Sequence, residues 1–213
     1  MVTADRFAKG MTWQQYLRLV GTPENLAREG SRGPRKDFSN YLRTACEAAR
    51  LSPAHEAAWR WLVAQPGGPA KVLAISEEWS SDCRRDMPVL ARLADTVGLD
   101  LRIFTRDGKI CGRGPRPEPD SPNADVMAQF LNERNGQTFQ SIPVIVFYTK
   151  DFTELYRYTE FPAVYHKDRI RAVLDDAGFM AMQGSPFFEV WRSAALDEWT
   201  SLLYERLRVG SLA

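Results

Sequence analysis

The sequence predicts an α/β protein, and three observations carry that expectation. An apolar run, Val72-Leu73-Ala74-Ile75, is followed by helical spacing through Met87, Leu90, Ala91, Ala94 and Val97, then by a second run from Leu99 to Thr105. Strand, helix and strand in so short a span form a βαβ unit, with parallel strands and a right-handed crossover. The β-rich stretches 144–148 and 154–159 are separated only by Thr149 to Thr153, close enough for an antiparallel hairpin. Amphipathic helical patterns flank this region on both sides.

The elements follow in order. Trp13, Tyr16, Leu17 and Val20 fall at i, i+3, i+4 and i+7, so Thr12 to Val20 reads as a short helix. Gly21 to Lys36 is punctuated by Gly21, Gly30, Gly33, Pro23 and Pro34 and reads as a linker or surface loop. Phe38, Tyr41, Leu42 and Ala45 resume the helical period. Ser52-Pro53 then supplies a cap and a first-turn proline for a second helix through Trp59 and Leu62. Gln65 to Pro69 stops it. After the βαβ unit, Arg106 to Asn123 is rich in proline and glycine and reads as a long loop. Ala124 to Arg134 reads as a helix, the hairpin follows, and Pro186 to Leu207 carries an apolar stripe of Phe187, Trp191, Ala195, Trp199, Leu202 and Leu203.

Composition narrows the possible functions. The chain has 213 residues, of which 44% are hydrophobic and 26% charged, enough apolar content for one core with extensions and too much for wholesale disorder. A formal charge of +1 gives no global field toward nucleic acid or an anionic membrane. No window approaches 18 uninterrupted apolar residues, and Asp5, Arg6 and Lys9 open the chain with no apolar stretch behind them, so no membrane partner and no export are expected. Three scattered cysteines, Cys46, Cys83 and Cys111, fit a reducing compartment, the cytoplasm by default.

One stretch concentrates chemistry. Residues 76–88 read Ser-Glu-Glu-Trp-Ser-Ser-Asp-Cys-Arg-Arg-Asp-Met-Pro and lie where the first strand turns into its helix. With Trp79, Ser80 and Cys83, the stretch resembles the thioredoxin family's Trp-Cys-x-x-Cys motif with serine in place of the first cysteine. Pro88, five residues after Cys83, matches the proline that kinks the family's helix, and Ser141-Ile142-Pro143-Val144 looks like its cis-proline segment. The resemblance implies a thioredoxin-like fold: a central four-stranded mixed sheet flanked by helices. Residues 66–178 would form its core, 1–65 an N-terminal helical extension and 179–213 a C-terminal helix packed on it. It also implies thiol-redox partners, namely protein thiols, disulfide-containing peptides or glutathione, held by Trp79, Ser81, Asp82, Ile142 and Pro143.

The departure from the motif matters chemically. A thiol at a helix N-terminus is pushed toward thiolate by unpaired N–H groups and the helix dipole. Ser80 cannot ionise usefully without a base, and no histidine lies in the motif, so ordinary dithiol exchange is excluded. A helix cap is the simpler role for Ser80, bonding the N–H of Asp82 or Cys83. Cys83 has two readings: a small buried hydrophobe, or a monothiol aided by Arg84 and Arg85 and opposed by Asp82. Topology brings the loop after Thr105 to the same sheet edge, where Arg106, Lys109, Arg113 and Arg116 surround Cys111. A Cys83–Cys111 disulfide and an unrelated loop cysteine are both open there.

The other signals are weaker. Cys46, His55 and the lone His166 have no chelating spacing, and no Gly-rich phosphate loop, Ser-x-Gly elbow or metalloprotease helix occurs, so no metal or other cofactor is expected. His55 shares a face with Trp59 and Leu62 and reads as packed or half-exposed. Glu77-Glu78 and Asp175-Asp176 read as solvated charge. Trp13, Trp59, Trp61, Trp191 and Trp199 lie in the flanking helices, where they cover the sheet or form a homodimer surface. Two functions follow: a thiol-redox protein working through Cys83, alone or with Cys111, or a redox-inactive module that binds an extended peptide beside Trp79 and Ile142-Pro143.

Overall fold

A computed structural model describes residues 2–31 and 33–209. The chain begins with α1 (Ala4–Ala8), then α2 (Trp13–Val20), which Thr12 and Gln15 close with a reciprocal capping box. Tyr16, Leu17 and Val20 are buried on the face their spacing defines. Residues 21–36 are more than the linker their glycines and prolines suggest. They form α3 (Pro23–Leu26) and a small antiparallel pair, β1 (Glu29–Gly30) and β2 (Gly33–Pro34). Asn25 and Arg35 are buried here, because their polar groups find carboxylates elsewhere in the fold.

The helical pair follows as α4 (Ser39–Ala48) and α5 (Pro53–Ala64), with Ser52 capping α5 through the N–H of His55. The βαβ unit consists of β3 (Lys71–Ile75), α6 (Ser81–Val97) and β4 (Asp100–Phe104). Pro88 lies inside α6, and Gly98 ends it at φ +77°, a left-handed conformation that glycine adopts without a Cβ clash.

Residues 106–123 form a loop, as expected. The helix expected over Ala124 to Arg134 stops early: α7 is only Ala124–Met127, and β5 (Asn132–Arg134) pairs antiparallel with β6 (Gln137–Phe139). Asn135 and Gly136, at φ +52° and +74°, make the turn between them, the pairing of residue types that favours such a hairpin. The chain closes with β7 (Val144–Tyr148), β8 (Glu154–Thr159), α8 (Lys167–Val173), α9 (Asp176–Met182) and α10 (Pro186–Val209).

The main sheet has the order β4-β3-β7-β8. β3 and β4 are parallel, and the other two pairings are antiparallel. All five residues of β7 are buried, as befits a central strand covered on both faces. Trp59 of α5 and Trp199 of α10, both fully buried, lie 5.5 and 6.0 Å from the Phe147 ring of β7. Trp13 and Trp61 pack at the edge of the same core, so these flanking tryptophans mainly cover the sheet. Among the described residues no helix is long and apolar enough to cross a membrane.

The register fixes where chemistry can occur. Ile75, the last residue of β3, pairs with Phe104 of β4 and with Val144 of β7. The start of α6, the loop after β4 and the Ile142–Pro143 bond therefore share one edge of the sheet. That bond is cis.

Candidate functional site

The site is built from the turn that joins β3 to α6. Ser80 is the N-cap of α6, and its hydroxyl accepts the N–H of Cys83 at 3.4 Å. Three residues on, the Cys83 side chain faces inward and is only 1% exposed. Burial pushes its thiol up to about 12, outweighing the hydrogen bonds from the Glu77 backbone, Ser76 and Ser80. The two arginines expected to favour its thiolate are engaged elsewhere. Arg84 donates to the carbonyls of Glu78 and Trp79 at 2.8 and 2.7 Å and lies 4.1 Å from the Phe38 ring centre. Arg85 is buried among carboxylates.

Cys111 is also buried. Its sulfur accepts from Arg106 at 3.5 Å, and burial raises its pKa. All three cysteines are free, so the Cys83–Cys111 disulfide is not formed. The basic patch around Cys111 is partly neutralised as well, because Arg106 pairs with Asp107 and Arg113 with Glu29.

Glu77 and Glu78 overturn the reading of solvated charge: they are 0% and 1% exposed. Glu77 accepts the peptide N–H groups of Arg106 and Asp107 at 2.8 and 2.7 Å, and Arg28 and Arg35 at 3.0 and 2.6 Å. Glu78 accepts from Asn25 and Arg35 at 3.0 and 2.9 Å. Asp107 takes Arg35, Arg106 and the Trp79 indole at 3.1, 2.7 and 2.9 Å. Burial, then the nearby Asp107 charge, raises the Glu77 carboxyl even so. This network ties the loop after β4 and residues 25–35 to the turn after β3, and it holds Trp79 by its indole. The signal in the sequence was the pair of arginines at 28 and 35, set in a run whose polarity reads as solvent exposure.

A second network lies on the other flank of α6. Arg85 donates to Asp82, Asp86 and the Tyr158 hydroxyl at 2.8, 2.7 and 3.2 Å, and Tyr158 donates to Asp86 at 2.7 Å. Lys167 from α8 donates to Asp82 and, at 2.8 Å, to Glu160, which also takes Arg134 at 2.6 Å. Burial raises Asp86 despite its partners. It would also lower Lys167, but Asp82 and Glu160 more than offset this and the ammonium is held.

A cleft of about 460 Å³ opens between the two networks. It brings together Trp79, Ser80, Ser81, Asp82 and Ile142, with Phe38 and the α9 residues Phe179 and Met180 as further walls. Pro143 is buried and does not line it, nor do Cys83 and Cys111. Of the expected site residues, the peptide-contacting set therefore largely converges, and the two thiols lie apart from it. Among the described residues no group of three or more His, Cys, Asp or Glu side chains is arranged to hold a metal ion.

Fold and site together define an α/β protein with a four-stranded mixed sheet and a cleft at one sheet edge. A protein of unknown function from Pseudomonas aeruginosa is similar over 96% of this chain and 98% of its own, with a TM-score of 0.55 and 14% identity. An HIV epitope-scaffold protein is similar over the same shares, with a TM-score of 0.56 and 14% identity. At that identity the likeness concerns the fold alone. No family model and no curated protein matches the chain.

Proposed function

We propose that the chain is a thioredoxin-like protein that has kept the fold's cleft, lost thiol-disulfide turnover and binds an extended peptide beside Trp79 and Ile142. The observation that carries the reading is the Ile142 peptide group. Ile142 is 5% exposed, yet neither its N–H nor its C=O has a hydrogen-bond partner among the described residues. Within the fold these two groups are left without a partner, and an extended peptide offers a donor and an acceptor at the matching spacing.

The thiol-redox reading is the weaker one. Burial keeps Cys83 as the neutral thiol at pH 7, and it does not line the cleft. Three free thiols fit a reducing compartment such as the cytoplasm.

Glutathionylation of the native chain with oxidised glutathione, followed by mass mapping, tests the loss of turnover. Cys83 is expected to stay unmodified until the chain is denatured, and rapid, selective modification in the fold would restore the redox reading. Peptide binding is read in the same samples from the NMR signal of the Trp79 indole N–H, which capped octapeptides are expected to shift.

A further inference from the structure

The cleft carries more positive charge than its ion pairs consume. Among the cations lining it, Arg35 and Arg106 are taken up by Glu77, Glu78 and Asp107, and Lys167 by Asp82 and Glu160. Lys36, Arg84 and Arg171 line the same space, and none of them pairs with a described carboxylate. Arg84 is bonded to two carbonyl oxygens and makes no ion pair, with the charges of Asp82 and Glu78 nearby. Arg171 lies over the Phe179 ring at 5.1 Å, and Lys36 is exposed. In a chain of net charge +1, three cations around one cleft with no ion pair to a described carboxylate are a local concentration.

The walls between these charges are apolar: Phe38, Trp79, Ile142, Phe179 and Met180. A small inorganic anion would satisfy the cations and leave those walls wet. A ligand that matches both carries carboxylates spaced among apolar groups.

We propose that the peptide held in this cleft is acidic, its aspartate or glutamate side chains meeting Lys36, Arg84 and Arg171 while its apolar side chains lie on Phe38, Trp79 and Phe179. The proposal rests on the peptide-binding reading and adds the charge of the ligand. Each surface ion pair contributes roughly a 1.4- to 5-fold gain in affinity, so three together separate an acidic ligand from its neutral counterpart by roughly 3- to 100-fold, about tenfold at mid-range.

The test uses the intact chain and three pools of end-capped octapeptides with equal leucine and glycine content. The pools carry glutamate, glutamine or lysine at alternate positions. The Trp79 indole N–H signal, assigned with Trp79→Phe, is followed during titration. The glutamate pool is expected to shift it at about a tenth of the concentration the glutamine pool needs, with the lysine pool weaker still. Lys36→Glu/Arg171→Glu, which changes two exposed side chains and leaves Arg84 in place, is expected to reverse that order. Equal shifts by the glutamate and glutamine pools would overturn the acidic ligand and leave peptide binding standing. A shift of equal size from oligothymidylate would overturn it as well, as the mark of a general polyanion site. Silence from all three pools would remove both readings.

Discussion

Ser80 and Cys83 occupy one turn of α6, and the bond between them runs from a peptide N–H to a hydroxyl. Serine here does what a cap does: it satisfies one of the four donors that a helix start leaves open. Replacing it removes that acceptor while the backbone donor stays buried. Ser80→Ala is expected to cost about 1 kcal/mol, a fall in Tm of about 2–4 °C for a chain of this size, read by calorimetry. An unchanged Tm would show that the hydroxyl bond at 3.4 Å contributes nothing to the fold. The cysteine was legible by position but not by state. Its spacing from Ser80 and Pro88 resembles that of the second cysteine in the thioredoxin family's motif. Whether it is reactive depends on its burial, and charge from Arg84 and Arg85 was expected where the structure commits Arg84 to two carbonyls and Arg85 to Asp82 and Asp86.

Among the elements, the turn before α6 is held by charges that arrive from far along the chain. Arg35 reaches Glu77 across 42 residues and Asp107 across 72. Arg35, Glu77 and Asp107 are fully buried at their side chains, so deleting the guanidinium leaves three carboxylates with too little compensation. Arg35→Met is expected to destabilise the chain by about 3–5 kcal/mol in urea denaturation. Arg113→Met is a control of the same chemistry at the surface. Its pair with Glu29 is 62% and 41% exposed, and the change is expected to stay within about 0.5 kcal/mol. Equal losses in the two variants would mean that the network is solvated. These partnerships explain why adjacent acidic residues were misread, since sequence gives their polarity and only the fold gives their partners. The α7 region failed for a different reason. Val126, Met127 and Phe130 are buried at spacings a helix would give, while Asn135-Gly136, a strong local turn signal, sits just past the stretch read as helical.

For the molecule as a whole, the strands were legible because β3 and β4 flank a single helix and β7 and β8 a short turn, a matter of local spacing, whereas the β3–β7 pairing joins strands far apart in the chain. What ties the sheet edge to the C-terminal helices was not legible, because Lys167 meets Asp82 across 85 residues. That tie makes global stability respond to pH through Glu160. Burial would raise the Glu160 carboxyl, but Lys167 and Arg134 outweigh it and hold the group below its ordinary 4.5. A carboxyl depressed in the fold contributes stability that is fully present above its unfolded pKa and is lost as pH falls through the folded value. Glu77 and Asp86, both raised by burial, act in the opposite direction: the folded state binds their protons more readily, so acidification relieves their cost. The acid limb of the wild-type curve is the balance of these effects, and Glu160→Gln removes one side of it. The variant is expected to be less stable than wild type at pH 7 and to converge toward it by pH 3, in urea denaturation at pH 7, 5 and 3. Curves that run parallel across that range would mean that the pairs of Glu160 with Lys167 and Arg134 do not hold in solution.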